Sequence, residues 1–306
     1  MSDRADRRSA FIAIVGRPNV GKSSLLNALL GSKVSIVSRK PQTTRTRVLG
    51  VLTEGDDQLA FFDTPGVLTP RSRLDGFMLR SVEQSVAGVD ACLLVTEAGK
   101  RIADSERGLA RKFREEKMPA LLAINKIDLL ADKTRLMAQI AEWSRECDFA
   151  AVVPVSAATG SGLGDLKAEL KKRAEPGGHF FDDDALTDQP ERVLAGEIIR
   201  EKLLRLLESE VPHGAAVLVE RMERRPEGGV TDVSATIYCE RESHKGIIIG
   251  KGGATLKRIG TFAREDMEKF FGCRINLKLW VRVSEHWRDR ESALRTLGYD
   301  RSQLDR

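Results

Sequence analysis

Short apolar runs alternate with segments of helical periodicity along the first half of the chain. The apolar runs occupy residues 11–15, 59–62, 120–124 and 152–155. Each run is predicted to be a buried strand, and the segment 24–30 that follows the first run has a helical pattern. Such alternation is typical of a doubly wound, mostly parallel α/β sheet. We therefore predict an α/β domain over residues 1–174.

The pattern changes between residues 175 and 190. This stretch mixes proline and glycine with acidic and aromatic side chains and loses all periodicity. It is predicted to be a linker. A second domain, with a C-terminal tail, is expected over residues 191–306, because a chain of 306 residues is long enough for two domains.

The second domain has a different rhythm. Helical spacing extends over residues 191–208 and 254–271, whereas residues 216–222 alternate as a strand. Two further strands are predicted from period-two alternation. Their apolar positions are Val233, Ala235, Ile237 and Cys239 in one strand, and Ile275, Leu277, Leu279, Val281 and Val283 in the other. The elements predict an α+β domain in the order helix, two strands, helix, glycine loop, helix, strand.

The first predicted strand leads into a phosphate-binding motif, G-x-x-x-x-G-K-S, at residues 16–23. Its glycines allow backbone N–H groups to wrap phosphates, and the helix that follows adds its partial positive charge. Lys22 is expected to reach the β- and γ-phosphates of a nucleotide, and Ser23 to bind Mg²⁺. The other predicted nucleotide contacts of this loop are Asn19, Gly21 and Ser24.

A second motif, D-T-P-G, follows the second predicted strand. Asp63 stands at the carboxyl edge of the sheet, where it can hold the Mg²⁺ shell. Gly66 can offer its N–H to a γ-phosphate with no side chain in the way. Thr64 and Pro65 lie between them and are included in the predicted nucleotide site.

Two later motifs identify the base. The carboxylate of Asp128, which follows Asn125 and Lys126, can accept from both the N1–H and the 2-amino group of guanine. Adenine has neither donor, so it would leave this carboxylate unpaired. Ser156 and Ala157 could donate backbone N–H groups to guanine O6. Together the motifs predict a GTP site.

Composition fits an intracellular, cytoplasmic protein. The chain is 41% hydrophobic, which is ample for packed cores. Its four cysteines lack C-x-x-C spacing, so neither a disulfide framework nor a zinc site is indicated. Residues 1–8 lack the apolar core of a signal peptide, and no run approaches a membrane span.

The order of elements in the second domain resembles a type II KH domain, with a G-x-x-G loop at residues 250–253. In such domains the small loop residues let a single-stranded nucleic-acid backbone approach closely. Residues 241–290 hold twelve Lys or Arg against six Asp or Glu, an excess that favours a polyanionic partner. The predicted RNA-contacting residues are Gly250, Lys251, Gly252, Gly253, Lys257, Lys278 and Arg282.

A GTPase domain leading into a KH domain resembles the Era family of bacterial ribosome-assembly GTPases, and the resemblance covers almost the whole chain. It implies binding of single-stranded 16S ribosomal RNA near its 3′ end and a role in 30S subunit assembly. Residues 42–45 match the family's first switch, in which Thr44 is the implied Mg²⁺ and γ-phosphate ligand. Peripheral association with the inner membrane is implied for some members.

The resemblance to the Era family also implies K⁺ as a candidate second ion. Related GTPases with an Asn at the position of Asn19 include members that bind K⁺ beside the phosphates, where it could offset developing charge. The alternative is an Asn that only stabilises the loop by local hydrogen bonds.

The predicted catalytic residues are Lys22, Thr44 and Gly66. The residue after the D-T-P-G motif is Val67, which cannot orient an attacking water as glutamine does in Ras. Hydrolysis by the protein alone is therefore expected to be slow. Water must be positioned by backbone, by Thr43 or Thr44, or by a partner.

Two functions of different classes stay open at this stage. The chain could be a GTP-regulated RNA-binding assembly factor. Alternatively, its basic second domain could dock on a protein or on an anionic membrane surface.

Overall fold

A computed structural model describes residues 7–38, 40, 42–66, 72–132 and 134–299 of the chain. The chain divides into two compact units. The first includes residues 1–35, 44–69 and 78–188, and the second includes residues 36–43, 70–77 and 189–306. Val67 stands where Ras has a glutamine, and slow hydrolysis was expected for that reason. It lies outside the described residues.

The first unit is built on a seven-stranded sheet in the order β2-β3-β1-β4-β5-β6, with β7 paired to β1. Its strands are β1 (Arg8–Val15), β2 (Val48–Glu54), β3 (Asp57–Asp63), β4 (Ala91–Glu97), β5 (Ala120–Asn125), β6 (Ala151–Pro154) and β7 (Glu175–Pro176). The strands β3, β1, β4, β5 and β6 are parallel, whereas β2 and β7 pair antiparallel with β3 and β1. The predicted mostly parallel α/β sheet is confirmed.

Helices connect these strands and cover a core on each face of the sheet. They are α1 (Lys22–Leu30), α2 (Arg73–Val86), α3 (Asp104–Glu115), α4 (Thr134–Glu146) and α5 (Leu163–Lys171). One core contains Ile12, Leu25 and Leu166, and the other contains Ala13, Phe113 and Trp143. Because Ile12 and Ala13 are neighbours on β1, the alternation of side chains places the two cores on opposite faces of the sheet. Because these strands are parallel, their carboxyl ends lie together at one edge of the sheet.

Residues 175–188, which make up most of the predicted linker 175–190, run along the first unit and are called the strap below. The strap pairs with β1 through Glu175 and Pro176, and farther on the N–H of Val51 donates to the carbonyl of Leu186 at 2.9 Å. Phe11 stacks on Phe180 with ring centroids 4.3 Å apart. The strap is therefore held on the first unit by backbone pairing and aromatic stacking, although its sequence has no period.

The second unit is an α+β domain. Its elements are α6 (Glu191–Leu206), β8 (Ala216–Arg224), β9 (Val230–Cys239), α7 (Glu242–Ile249), α8 (Ala254–Phe271), β10 (Arg274–Val283) and α9 (Glu291–Thr296). The sheet order is β10-β9-β8, with β9 parallel to β10 and antiparallel to β8. This is the predicted order of elements. Buried residues of α6, α8 and β9, such as Ile199, Ala263 and Ala235, form its core.

In the described part of the chain, no helix is both long and apolar enough to cross a bilayer.

Candidate functional site

The loop between β1 and α1 has a backbone that needs glycine at two positions. Gly16 has φ 145° and Gly21 has φ 98°, both in the region that side chains rarely adopt. A Cβ on Gly16 would lie 2.3 Å from the carbonyl oxygen of Val95, and a Cβ on Gly21 would lie 2.4 Å from the amide nitrogen of Asn125. The loop therefore passes closer to its neighbours than any side chain permits, in a conformation that can turn its N–H groups toward a ligand.

Lys22 is folded back onto this loop. Its Nζ donates to the carbonyls of Gly16 and Arg17, each at 3.0 Å. Burial lowers the pKa of Lys22 to about 8, although the negative charges of Asp63 and Glu106 oppose that fall. A buried ammonium with only carbonyl acceptors is poorly compensated, and phosphate oxygens would supply the missing charge.

Three hydroxyl groups converge on Asp63 at the end of β3. The Oδ2 atom accepts from Ser23 at 2.6 Å, from Ser35 at 2.8 Å and from Thr44 at 3.5 Å. Oδ1 is buried and has no hydrogen-bond partner among the described residues. Burial raises the pKa of this carboxyl group above its ordinary value.

These oxygens fit a hard divalent cation. Mg²⁺ takes oxygen ligands and keeps several waters, so a carboxylate with hydroxyl neighbours and one unpartnered oxygen suits it. The structure brings together the predicted metal ligands Ser23, Thr44 and Asp63. Ser35, which also donates to Asp63, was missed by sequence reasoning, because a lone serine in a polar loop has no distinguishing spacing.

The D-T-P-G segment lies directly against the phosphate loop. A Cβ on Gly66 would lie 2.6 Å from the backbone nitrogen of Pro18. The hydroxyl of Thr64 donates to the carbonyl of Ile14 at 2.8 Å, and Pro65 is buried. This explains the glycine at position 66: no side chain fits between the two loops.

The base-recognition motifs hold the other side of the phosphate loop. Asn125 donates from its amide to the carbonyl of Val20 at 2.9 Å, and its Oδ1 accepts from the N–H of Ala157 at 3.1 Å. Lys126 donates to the carbonyl of Asn19 at 2.7 Å and pairs with Glu97 at 2.7 Å. The predicted base and phosphate residues therefore form one connected site.

Asp128 stands at the open edge of this site. Its carboxylate accepts a short hydrogen bond from the hydroxyl of Ser156, and the residue is exposed whereas Ser156 is buried. A carboxylate oriented by a buried hydroxyl and open to solvent can accept hydrogen bonds from a base that enters beside it. Ser24, the remaining predicted contact, follows Ser23 in the first turn of α1.

Residues 36–43, which come directly before Thr44, belong to the second unit. Within it, the N–H of Val37 donates to Glu201 at 3.1 Å, and Arg200 donates to the carbonyl of Thr43. Glu201 and Arg200 are buried on α6. The division of the chain therefore falls between Thr43, in the second unit, and Thr44, in the first.

Residues 72–77 are held in the second unit in a similar way. The ring of Phe77 meets the ring of Tyr299 edge to face, with centroids 6.1 Å apart. Tyr299 in turn stacks on Trp287, and the N–H of Arg73 donates to Asp289 at 3.2 Å. Residues 287–299 thus contact the first turns of α2 through Asp289 and Tyr299.

The G-x-x-G loop joins α7 to α8. Gly250 has φ 72°, and a Cβ there would lie 2.2 Å from the hydroxyl oxygen of Thr255. Gly252 and Gly253 also have positive φ, but a Cβ at either would meet nothing within 4 Å. These two glycines face open space, where a ligand backbone can approach. Lys251, between them and Gly250, is exposed.

The predicted basic residues do not form a single surface. Lys257 is exposed on α8, one turn beyond the glycine loop. Leu277, Leu279 and Val281 of β10 pack on the helix-covered core. Lys278 and Arg282 alternate with them, so their side chains point to the opposite face of the sheet. Trp280, on that same opposite face, is 46% exposed.

The fold and the first site define a P-loop GTPase domain joined to a KH domain. A family model described as 50S ribosome-binding GTPase matches residues 11–126, and a KH domain model matches residues 210–288. GTPase Era of Clostridioides difficile is 45% identical over 293 residues, which is 96% of this chain and 99% of that protein. GTPase Era of Caldanaerobacter subterraneus is 45% identical over 95% of this chain and 98% of its own. The chain belongs to the Era family and is a GTPase.

Two solved structures agree with it over nearly their whole length. One is a single-residue alanine variant of Aquifex aeolicus Era bound to GDP·AlF4⁻, with a TM-score of 0.92, 37% identity, and coverage of 95% of this chain and 99% of that chain. The other is Era in complex with MgGDPNP and nucleotides 1506–1542 of 16S ribosomal RNA, with a TM-score of 0.90 and 37% identity. It covers 96% of this chain and 99% of its own.

Proposed function

We propose that this GTPase binds single-stranded 16S ribosomal RNA near its 3′ end and acts in assembly of the 30S subunit. The observation that carries the proposal is the likeness, over 96% of the chain, to an Era solved with nucleotides 1506–1542 of 16S ribosomal RNA. The open, positive-φ glycines of the G-x-x-G loop support it, because a KH loop needs such an approach for the RNA backbone.

The nucleotide site is proposed to work with Mg²⁺ held by Ser23, Thr44 and Asp63. When bound, the ion would neutralise charge on the β- and γ-phosphates. Lys22 would move from its carbonyl acceptors to the phosphates, and the N–H of Gly66 would donate to the γ-phosphate. Gly66 already lies against Pro18 of the phosphate loop. A K⁺ ion beside Asn19 is the proposed second cation.

Regulation is proposed to pass through residues 36–43. Thr44 approaches the metal site, whereas Thr43 is bound by Arg200 of α6 in the second unit. A ligand can shift an equilibrium only through contacts that differ between two states. Thr44 would contact the γ-phosphate and Mg²⁺ when they are bound, and the adjacent residue Thr43 is hydrogen-bonded by Arg200 of the unit that carries the G-x-x-G loop.

The proposed RNA partner can be tested by filter binding. Full-length protein with a non-hydrolysable GTP analogue should bind an oligonucleotide of 16S nucleotides 1506–1542 more tightly than a scrambled sequence of equal length at fixed salt. A Gly252→Asp variant, which changes the G-x-x-G loop, should lose the preference. Equal affinity for both oligonucleotides would contradict the proposal.

The second candidate function, docking on an anionic surface, is tested in parallel. Sedimentation with vesicles of phosphatidylglycerol should leave the protein in the supernatant at physiological salt when RNA is the true partner. Binding to vesicles without a preference for the 16S oligonucleotide would favour peripheral membrane association. Co-sedimentation with 50S instead of 30S subunits would contradict the proposed role in small-subunit assembly.

A further inference from the structure

The carboxylate of Glu106 on α3 is buried beside the phosphate loop and belongs to none of the nucleotide motifs. The residue is 0% exposed. Its Oε1 accepts from the hydroxyl of Thr96 at 3.1 Å, and its Oε2 accepts from the N–H of Ala103 at 2.9 Å. The second contact is half of a capping box, which alone would account for a glutamate at this position.

A third contact of Glu106 reaches the phosphate loop itself. Nε of Arg17 lies 3.1 Å from Oε2 of Glu106. The N–H does not point at that oxygen, so the contact is an ion pair and not a linear hydrogen bond. Arg17 is the first residue after Gly16, and its carbonyl oxygen is one of the two acceptors of Lys22. A cap for α3 does not require this arginine.

The two halves of the loop are held differently. Its second half is bonded at the carbonyls of Asn19 and Val20 by Lys126 and Asn125. Its first half is bonded through Lys22, whose ammonium is also the group that phosphates would attract. The ion pair between Arg17 and Glu106 does not compete with a nucleotide in this way, because the arginine side chain is turned toward α3.

We propose that Glu106 is a positioning residue for GTP and GDP binding. It holds Arg17, and through Arg17 it fixes the first half of the phosphate loop in the geometry that presents N–H groups to phosphates. Glu106 touches no nucleotide itself. The same loop geometry serves GDP and GTP, so loss of Glu106 weakens both nucleotides and raises KM more than it lowers kcat.

The test compares three variants of the full-length protein by titration with fluorescent GDP and GTP analogues in Mg²⁺. Glu106→Gln keeps an acceptor for the α3 cap but removes the charge, and Arg17→Met leaves the cap untouched. Each should lower the affinity for both nucleotides on the order of tenfold, which corresponds to about 1.4 kcal/mol of binding free energy. The double variant should bind no more weakly than either single variant, because both changes break one interaction.

A neighbouring ion pair on α3 provides the matched control. Arg107 pairs with Glu142 at 3.0 Å and with Glu146, both on α4, so Arg107→Met removes a comparable α3 contact away from the loop. It should leave nucleotide affinity unchanged. Wild-type affinity in Arg17→Met, together with a loss in Glu106→Gln, would overturn the proposal, because Glu106 would then act without Arg17, for example through its charge near Lys22. Additive losses in the double variant would also overturn the proposal.

Discussion

The side-chain amide of Gln42 donates a hydrogen bond to the carboxylate of Asp75 at 2.7 Å. The two residues stand 33 positions apart and both lie in the second unit. Gln42 comes two positions before Thr44, and Asp75 lies in the first turn of α2. The two segments that adjoin the nucleotide motifs are therefore joined to each other as well as to α6 and the C-terminal segment.

Nucleotide state is expected to alter RNA affinity, and Arg200→Met to reduce that difference. Wild-type protein should bind one 16S oligonucleotide about 5–150-fold differently in its GDP and GTP-analogue forms. Removal of the guanidinium frees the carbonyl of Thr43, so the ratio should fall toward one while GDP affinity is kept. Fluorescence titration at fixed salt measures both. Identical affinities in the two wild-type states would mean two independent modules.

Guanine selectivity is expected to depend on Asp128. Asp128→Asn replaces an acceptor with a donor that faces the guanine N1–H, and should shift preference from GTP toward XTP by several orders of magnitude, about 10⁴-fold. Competition between the two nucleotides for a fluorescent analogue provides the measurement. Retained GTP preference in the variant would show that another group reads the base.

RNA affinity is expected to depend on the helix side of the second unit. Lys257→Ala should weaken binding of single-stranded RNA and reduce the salt slope by about 0.7, as for one lost phosphate contact. Lys278→Ala, on the opposite face of the sheet, should have a smaller effect. Filter binding across a salt series compares them. The reverse ranking would place the RNA on the open face of the sheet.

Hydrolysis is expected to be faster in KCl than in NaCl. An ion beside Asn19 would offset charge as the γ-phosphate leaves, in place of an arginine. Phosphate release at matched ionic strength measures the rates, and Asn19→Ala should abolish the difference. Equal rates in both salts would leave Asn19 with a role in loop geometry, to which its φ of 65° already points.

The pKa of Lys22 gives a pH dependence of stability. Burial lowers it to about 8 in the nucleotide-free protein, below its value of 10.5 in the unfolded chain. Between these values the unfolded state binds more protons, so the contribution of Lys22 to the free energy of unfolding rises with pH. Relative to Lys22→Met, nucleotide-free wild type should gain up to about 1 kcal/mol per pH unit between about pH 8 and pH 10. Denaturant unfolding measures this, and a constant difference would contradict it.

Periodicity along the chain was sufficient to predict most elements of the second unit. The amphipathic helix predicted at 254–271 is α8 with the same bounds, and the alternation from Ile275 to Val283 is β10. Parallel strands buried on both faces are near-continuous apolar runs, so 120–124 was also recognisable. The first nucleotide motif lies after β1 because glycine spacing and a following helix pattern are local properties of the sequence.

Contacts between distant residues could not be predicted in this way. Ser35 joins Asp63, and Glu106 joins Arg17, through distances in sequence that no spacing rule covers. The strap is another case: its sequence has no period, and residues along it meet separate partners on β1, β2 and β3. Its order comes from the surface that receives it.

Residue types at short fixed spacings were enough to predict the family, the two fold classes and the set of nucleotide motifs. All three depend on residues that are close together in the sequence. Tertiary packing was needed to show that Thr43 and Thr44 belong to different units, and that Lys257 and Lys278 lie on different faces of the second unit. The physical reason is that burial and charge pairing depend on which surfaces meet in space. A pattern along the chain records which face of an element is apolar, but not which neighbour covers it.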